Sequence, residues 1–188
     1  MKKFPNIYLV GNAGAGKSTV ANELIKRYNY KHIRFAGTLY NLAYNYFDMD
    51  KKVKDRYLLQ IMGTEVGREQ VNTDIWVNRV IEDVKIVQLT AQKLGYADNK
   101  SFVLDDCRFM NEHKALATAG WLGFYIDVPE EVRITRLNER DGQCDVSKFK
   151  HASETGMEEF RSGLFNVNGT RSIDEICNSI ANISGLLI

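Results

Sequence analysis

The chain has little proline, few cysteines and no long apolar run. Only two of its 188 residues are proline, and no segment is of low complexity, which argues against a disordered or linker-dominated protein. Its cysteines (Cys107, Cys144 and Cys177) form no CxxC pair, so a zinc ribbon or redox motif is not supported, and scattered thiols indicate a cytoplasmic protein. No apolar stretch approaches the roughly 18 residues of a membrane span.

The chain also lacks an excess of charge of either sign. It has 25 Lys and Arg against 24 Asp and Glu, which gives a net charge of +1. This balance disfavours bulk electrostatic binding of nucleic acid. The apolar fraction of 44% is that of an ordinary globular protein, and the length fits one domain. We therefore expect a small-molecule substrate, with neither nucleic acid nor membrane as a partner.

Short apolar segments alternate with helical patterns along the chain. Strands are predicted at 7–10, 32–35, 101–104, 122–128 and 164–167. Strands that are apolar on both faces and alternate with helices predict an α/β sandwich with a parallel sheet. The stretch from about 36 to 95 is helical throughout and too long for a simple crossover, so it is predicted to be an inserted helical subdomain. Ser172 and Glu175 predict a capping box at the start of a C-terminal helix.

A glycine-rich segment follows the first predicted strand. The GxxxxGK[ST] motif is matched by Gly11-Asn12-Ala13-Gly14-Ala15-Gly16-Lys17-Ser18, between a strand and a helix, as in a phosphate-binding P-loop. Its glycines let backbone N–H groups point at phosphate oxygens, and the helix adds its positive end. Lys17 can reach the β- and γ-phosphates, and the Ser18 hydroxyl can hold Mg²⁺. The segment predicts nucleotide binding, against the alternative of a glycine-rich turn without a ligand.

Two acidic residues, Asp105 and Asp106, stand at the end of a buried strand. Ligands of open α/β sheets bind at such ends, where a carboxylate can hold a Mg²⁺-bound water beside Ser18. The metal role is predicted for this pair, with Asp105 preferred, and the alternative is that these acids cap the following helix. Arg108 is expected in the same cleft as a substrate or phosphate contact, the alternative being a surface ion pair with Glu112.

Three arginines are spaced along one predicted helix. Arg133, Arg136 and Arg140 follow each other at i, i+3 and i+7, so they are expected to share a face. Like charges at this spacing repel, and a bound polyphosphate would supply the missing negative charge. Such groups stabilise charge in a transition state and often sit on a mobile lid. The alternative is a solvated charged face.

Polar residues and glycines interrupt an apolar helical pattern in the middle of the chain. Gly63 and Gly67 predict a loop or a close approach, because glycine inside a helix costs about 1 kcal/mol relative to alanine. Gln60, Glu65 and Arg68 suit recognition of a polar base and a phosphate, and a plain turn with a salt bridge explains them equally well. For the nearby Trp76, a place in the core is favoured over a stacking platform.

Together these segments resemble the phage-type deoxynucleoside monophosphate kinases, within the P-loop nucleoside monophosphate kinases. The resemblance spans residues 6 to about 172. It is carried by Gly11–Ser18, by Gln60–Arg68 with Asp74-Ile75-Trp76-Val77, by Asp105-Asp106-Cys107-Arg108-Phe109 with Asn111-Glu112, by His151-Ala152-Ser153-Glu154 and by Asn168-Gly169-Thr170. It implies a three-layer P-loop NTPase fold in a single domain. The core would comprise 1–35 and 96–188, with a helical monophosphate-binding insert at about 36–95 and a short lid at about 136–155.

The resemblance implies the reaction ATP + dNMP = ADP + dNDP with Mg²⁺, in the host cytoplasm if the chain is phage-encoded. The implied catalytic residues are Lys17, Arg108, Arg136 and Arg140. ATP would contact residues 11–19, that is the P-loop with Thr19, together with Arg136 and Asn168. The acceptor would contact Gln60, Thr64, Glu65, Arg68, Trp76 and Arg108, and the metal would involve Ser18, Asp105 and Asp106. His151, Ser153 and Glu154 are placed at the closed lid.

Two other functions fit the same motifs. One is a P-loop kinase with a different small acceptor, such as dephospho-coenzyme A. The other is a P-loop ATPase or switch that transfers nothing, which the arginine face disfavours. The preferred base, the strictness for deoxyribose and the oligomeric state stay open, a homodimer being one option.

Overall fold

The protein is built around a five-stranded parallel sheet. The computed structural model describes residues 4–50, 55–96, 101–141 and 161–185. The strand order is β2-β3-β1-β4-β5, and every neighbouring pair is parallel. The strands are β1 (Ile7–Val10), β2 (Lys31–Ile33), β3 (Phe102–Leu104), β4 (Leu122–Asp127) and β5 (Phe165–Asn168). The predicted α/β class with a parallel sheet is confirmed.

The central strand, β1, pairs with a parallel neighbour on each side. Ile7 of β1 pairs with Val103 of β3 on one side and with Leu122 of β4 on the other. All four residues of β1 are apolar and buried, because helices cover both faces of the sheet. The loop that follows β1 therefore emerges at the middle of the sheet's carboxyl edge, where neighbouring strands also end.

Helices form a layer on each face of the sheet. The helices outside the insert are α1 (Lys17–Tyr28), α5 (Met110–Thr118), α6 (Glu130–Asp141) and α7 (Ile173–Ile183), and a short 3₁₀ turn spans Arg161–Gly163. One core cluster joins β1 to α1 and α7 through Leu24 and Ile180, and the other joins the sheet to α5 through Leu116. The capping box at α7 is confirmed, since Ser172 and Glu175 bond each other's backbone N–H.

A run of helices separates β2 from β3. It consists of α2 (Phe35–Tyr46), α3 (Arg56–Gln60), a π-helix (Ile61–Val71) and α4 (Ile75–Lys93). The described part of this run contains no strand, as the sequence predicts. Trp76, Val80 and Val84 of α4 are buried against the sheet, so the run is anchored on the core through α4. None of the helices in the described ranges is long and apolar enough to cross a membrane.

The start of the insert differs from the sequence prediction. The strand expected at 32–35 ends at Ile33, and Phe35 begins α2 instead. The strand ends early because the first turn of α2 is capped by Asp106, a residue far along the chain. Its carboxylate accepts the backbone N–H groups of Phe35 at 3.1 Å and Ala36 at 3.0 Å. The final strand also runs one residue further than expected, to Asn168.

Gly63 and Gly67 lie inside the π-helix, so the predicted loop is wrong and the alternative of a close approach is confirmed. A Cβ on Gly67 would lie 2.6 Å from the Met62 carbonyl oxygen and 2.8 Å from Cζ2 of Trp76. The Trp76 indole N–H donates to the Gly63 carbonyl oxygen at 2.8 Å. Gly67 therefore lets the π-helix rest against the Trp76 ring, a contact that a larger residue at this position would prevent.

Gly67→Ala is expected to destabilise the protein by about 1–3 kcal/mol, because the added methyl meets backbone and a buried ring that cannot move aside. Helix propensity alone predicts the opposite, a gain of about 1 kcal/mol. The measurement is the free energy of unfolding in urea. Gly63→Ala is the matched control, since its methyl would meet only the flexible end of Leu39 at 2.9 Å and should cost less. Equal stability of the Gly67→Ala and wild-type proteins would contradict this packing.

Candidate nucleotide and acceptor site

The P-loop leaves β1 in a conformation that its glycines make accessible. Gly11, Gly14 and Gly16 have φ angles of 149°, 81° and 91°, values that side chains strongly disfavour. At Gly11 a Cβ would also lie 2.8 Å from the Ile126 carbonyl oxygen of β4. The Lys17 ammonium donates to the carbonyl oxygen of Gly11 and, at 3.2 Å, to that of Asn12. The loop therefore wraps around its own lysine at the N-terminus of α1.

Helix α6 packs directly on the P-loop. The Arg133 carbonyl oxygen lies 2.7 Å from the place of a Gly14 Cβ, so only glycine fits. The Arg133 side chain is 8% exposed and donates to the carbonyl oxygens of Ala13 at 3.2 Å and Val128 at 3.3 Å. The expectation that Arg133 joins Arg136 and Arg140 in meeting a polyphosphate is therefore corrected, because Arg133 is turned inward to hold the loop and does not line the cleft.

A cleft of about 770 Å³ opens above the P-loop. It is lined by Ala13, Gly14, Gly16, Lys17, Ser18, Thr19, Arg34, Ala36, Tyr40, Asp105, Asp106, Arg108, Arg136, Leu137, Glu139 and Arg140. The four predicted catalytic residues, Lys17, Arg108, Arg136 and Arg140, lie together in this list. With Arg34, five basic residues line the cleft, which makes it a site suited to a polyphosphate.

A second pocket, of about 220 Å³, lies on the other side of Arg136. Its walls are Ala15, Gly16, Thr19, Val20, Arg136, Gly169, Arg171, Ile173 and Ile176. Arg136 donates to the Gly169 carbonyl oxygen at 3.0 Å, which joins α6 to the loop before α7. Asn168 does not line the pocket, since its Oδ1 accepts from the N–H and hydroxyl of Thr170. Gly169 and Arg171 of the same loop do line the pocket, and the ATP contact of Asn168 stays a prediction.

Asp105 is a buried carboxylate at the carboxyl end of β3. It contacts Nε2 of His32 at 2.8 Å and accepts from Nε of Arg34 at 3.0 Å. Burial raises the pKa of Asp105, but hydrogen bonds from His32, Arg34 and Ser18 outweigh it and bring the pKa well below its usual value. Asp105 is therefore an anion beside the Ser18 hydroxyl, where the sequence predicts the metal.

Asp106 has a different task from its neighbour. Both of its oxygens accept backbone N–H groups of α2, those of Phe35 and Ala36. Burial raises the pKa of Asp106 to about 6, and these two hydrogen bonds offset only part of that effect. The sequence expected capping of the following helix as the alternative to metal binding, and Asp106 instead caps α2, about 70 residues earlier. Its predicted metal role receives no support from this arrangement.

A smaller pocket of about 230 Å³ continues from the cleft into the insert. It is lined by Phe35, Ala36, Leu39, Leu59, Gly63, Thr64, Arg68, Trp76, Asp106, Arg108, Phe109 and Glu112. Four of the six predicted acceptor residues lie here: Thr64, Arg68, Trp76 and Arg108. We call it the acceptor pocket from here on. Ala36, Asp106 and Arg108 line both this pocket and the cleft, so they mark the junction between the two.

Arg68 is fixed from two sides within the acceptor pocket. Its Nη2 donates to Oε1 of Glu112 at 2.6 Å, and its guanidinium lies 4.6 Å from the centre of the Phe109 ring. Glu112 is 1% exposed and also accepts the backbone N–H groups of Arg108 and Phe109. The alternative of a surface ion pair between Arg108 and Glu112 is therefore wrong. Glu112 is buried, and the side chain that pairs with it is that of Arg68.

The other two predicted acceptor residues lie away from the pocket. Gln60 and Glu65 are exposed and bond each other at 3.4 Å. Trp76 does line the pocket, but it is 6% exposed and belongs to the core, so the favoured interpretation of this residue holds. His151, Ser153 and Glu154 lie outside the described residues, as does most of the predicted lid.

Sequence reasoning missed three residues of the site. Arg34 and His32 hold Asp105, and the acceptor pocket depends on the buried Glu112. A signal for Arg34 exists, since it follows β2 at the same edge of the sheet as the P-loop. No local signal marks Glu112, because its Arg68 partner is 44 residues away.

The comparisons with known proteins agree with this fold. Residues 7–158 match the family described as AAA domain. Among solved structures, the chain is similar to a gluconokinase from Sinorhizobium meliloti 1021, with a TM-score of 0.59 and 15% identity. That similarity covers 99% of this chain and 97% of the gluconokinase, and at this identity it establishes the fold alone. A comparison with curated proteins finds no match.

Asp106 is expected to make stability fall as pH rises between about 4 and 6.5. Its folded-state pKa of about 6 lies above the ordinary value of 3.8, so the folded protein binds this proton more tightly than the unfolded chain. The resulting stabilisation is complete below pH 4 and is lost as pH rises through 6. Asp106→Asn should remove this pH dependence, which is on the order of 2–3 kcal/mol.

The measurement is the difference in unfolding free energy between wild type and Asp106→Asn at a series of pH values, in EDTA. Asp83→Asn, on the outer part of α4, controls for loss of a carboxyl elsewhere. A difference that stays constant from pH 4 to 6.5 would contradict the raised pKa.

Proposed function

We propose a function for this chain, which belongs to the AAA-domain family. It is an ATP-dependent kinase that phosphorylates deoxynucleoside monophosphates. The P-loop and the family indicate ATP binding. The kinase activity and its acceptor are inferred from the site. The observation that carries the proposal is the junction at Arg108, where a polycationic cleft meets a largely apolar pocket. A donor polyphosphate and an acceptor would meet at that point.

The lining of the acceptor pocket favours a nucleobase over a sugar acid. Three aromatic side chains, Phe35, Trp76 and Phe109, line it together with Leu39 and Leu59. An apolar lining suits the low polarity of a base's faces, whereas a polyhydroxylated acceptor needs many polar partners. The indole N–H, one of the few donors present, is already bonded to the Gly63 carbonyl oxygen. This composition supports a nucleotide acceptor, and the restriction to deoxynucleotides rests on the resemblance of the sequence.

The junction also favours a phosphate as the accepting group. A hydroxyl acceptor loses a proton, so it needs a base at the point of transfer. The carboxylate shared by the two cavities is Asp106, and both of its oxygens accept N–H groups of α2. A monophosphate acceptor is already an oxyanion, so its transfer requires positioning and charge neutralisation and no base. Arg108, exposed at the junction, is placed to bind that oxyanion.

Cations on the donor side would stabilise the transferring phosphoryl group. Lys17 exchanges its loop carbonyl partners for phosphate oxygens, and Arg136 and Arg140 approach from α6. The Ser18 hydroxyl and the ionised Asp105 are oxygen donors of the kind that Mg²⁺ accepts, since Mg²⁺ keeps waters and phosphates as its other ligands. Ser18 would hold the metal and Asp105 one of its waters. When bound, Mg²⁺ supplies positive charge to the β- and γ-phosphate oxygens.

A coupled assay of ADP release tests the proposal. Mg-ATP is supplied with each deoxynucleoside and ribonucleoside monophosphate in turn, with gluconate, with dephospho-coenzyme A and with no acceptor. We expect ADP release that requires a deoxynucleoside monophosphate. Release without any acceptor would indicate an ATPase, and turnover only with gluconate or dephospho-coenzyme A would replace the proposed acceptor.

Arg136→Ala is expected to lower kcat by about 10²–10³-fold, because the variant loses a charge that acts on the transferring group. Lys17→Ala should have at least as large an effect. Neither variant should change the far-UV circular dichroism spectrum. Arg79→Ala is the matched control, since Arg79 forms an exposed ion pair with Asp83 on α4 and its loss should leave kcat within about twofold. Near-normal turnover of Arg136→Ala would remove Arg136 from the mechanism.

A further inference from the structure

One buried carboxylate contacts three residues that line the acceptor pocket. Glu112 is 1% exposed, and its two oxygens accept three hydrogen bonds. Oε1 receives Nη2 of Arg68 at 2.6 Å, and Oε2 receives the backbone N–H groups of Arg108 at 2.8 Å and Phe109 at 3.1 Å. Arg68, Arg108 and Phe109 all line the pocket. No other described side chain is bonded to all three.

We propose that Glu112 is a positioning residue for the acceptor, which it controls through Arg68 and through the loop that carries Arg108. This inference rests on the proposed kinase function. Arg68 belongs to the π-helix of the insert, whereas Arg108 belongs to the loop after β3 in the core. Glu112 therefore sets the distance between the two arginines that face an acceptor, one from each part of the molecule.

Geometry limits what Arg68 can do without this carboxylate. Its side chain is 17% exposed and lies between the Glu112 carboxylate and the Phe109 ring. A guanidinium that loses such an anionic partner is left partly buried and unpaired, which is unfavourable, so it moves toward water. The movement would take it off Phe109 and out of the acceptor pocket. A glutamine at position 112 has a single oxygen, so when that oxygen accepts the two backbone N–H groups, its NH2 group faces the guanidinium and cannot accept a hydrogen bond from it.

The Glu112 carboxylate also separates the tasks of the two arginines. Because its charge neutralises that of Arg68, Arg68 can contribute directed N–H donors and a flat face but little net charge. Arg108 has its backbone, and not its guanidinium, bonded to Glu112, and its exposed side chain lines both cavities. The phosphate of an acceptor is therefore expected at Arg108, with Arg68 against the remainder of the molecule.

Steady-state kinetics of Glu112→Gln, Arg68→Gln and the double variant test the proposal, with the acceptor that the wild-type protein phosphorylates fastest. We expect Glu112→Gln to raise the acceptor KM about tenfold or more, while kcat and the KM for ATP stay within about twofold. The double variant should be no worse than Arg68→Gln, since Glu112 acts on the acceptor largely through Arg68. Glu82→Gln, exposed on α4, should match wild type throughout.

Two results would overturn the assignment, and they differ from failure of the proposed function. An unchanged acceptor KM in a folded Glu112→Gln protein, with only a lowered melting temperature, would make Glu112 a purely structural residue. Multiplying effects in the double variant would show that it does not act through Arg68. If the wild-type protein phosphorylates no mononucleotide at all, the proposed function is itself wrong, and the assignment is lost with it.

Discussion

The position of the helical insert depends on the adjacent carboxylates at the end of β3. Asp105 is held by His32 and Arg34 from the end of β2, and Asp106 caps α2, which starts two residues after β2 ends. The two side chains point to different partners, so one strand end fixes both the donor side of the cleft and the first helix of the insert. A shift in this strand end would move both sides of the proposed reaction together.

The sequence predicts the parts of this arrangement that local patterns encode. The P-loop needs glycines at fixed spacing, and Gly11 and Gly16, both with positive φ, stand where the motif requires them. The order of strands and helices, the helical insert and the capping box at Ser172 likewise follow from short-range periodicity and capping chemistry. Thr64, Arg68, Trp76 and Arg108 were grouped by resemblance, and the folded chain brings them to one pocket.

Contacts between distant segments account for the differences. Strand β2 ends early because Asp106, 71 residues after Phe35, caps α2. No residue near Phe35 predicts this cap. Arg133 has the same spacing as its neighbours on α6, but the close approach of Gly14 turns it toward the loop. Gln60 and Glu65 have suitable chemistry for a ligand, yet they bond each other on the exposed side of the insert. Spacing defines a helix face, and only packing decides what that face meets.

The contact between Gly14 and Arg133 has a mechanical consequence. Helix α6 is held to the P-loop by a backbone-to-backbone fit and by the bond from Arg133 to Ala13. Arg136 and Arg140 stand on the same helix, so the contacts of Arg133 also set where their backbone lies relative to the phosphate loop. A movement of the insert where α2 leaves the sheet would bring an acceptor toward a donor side whose helix and loop are already joined.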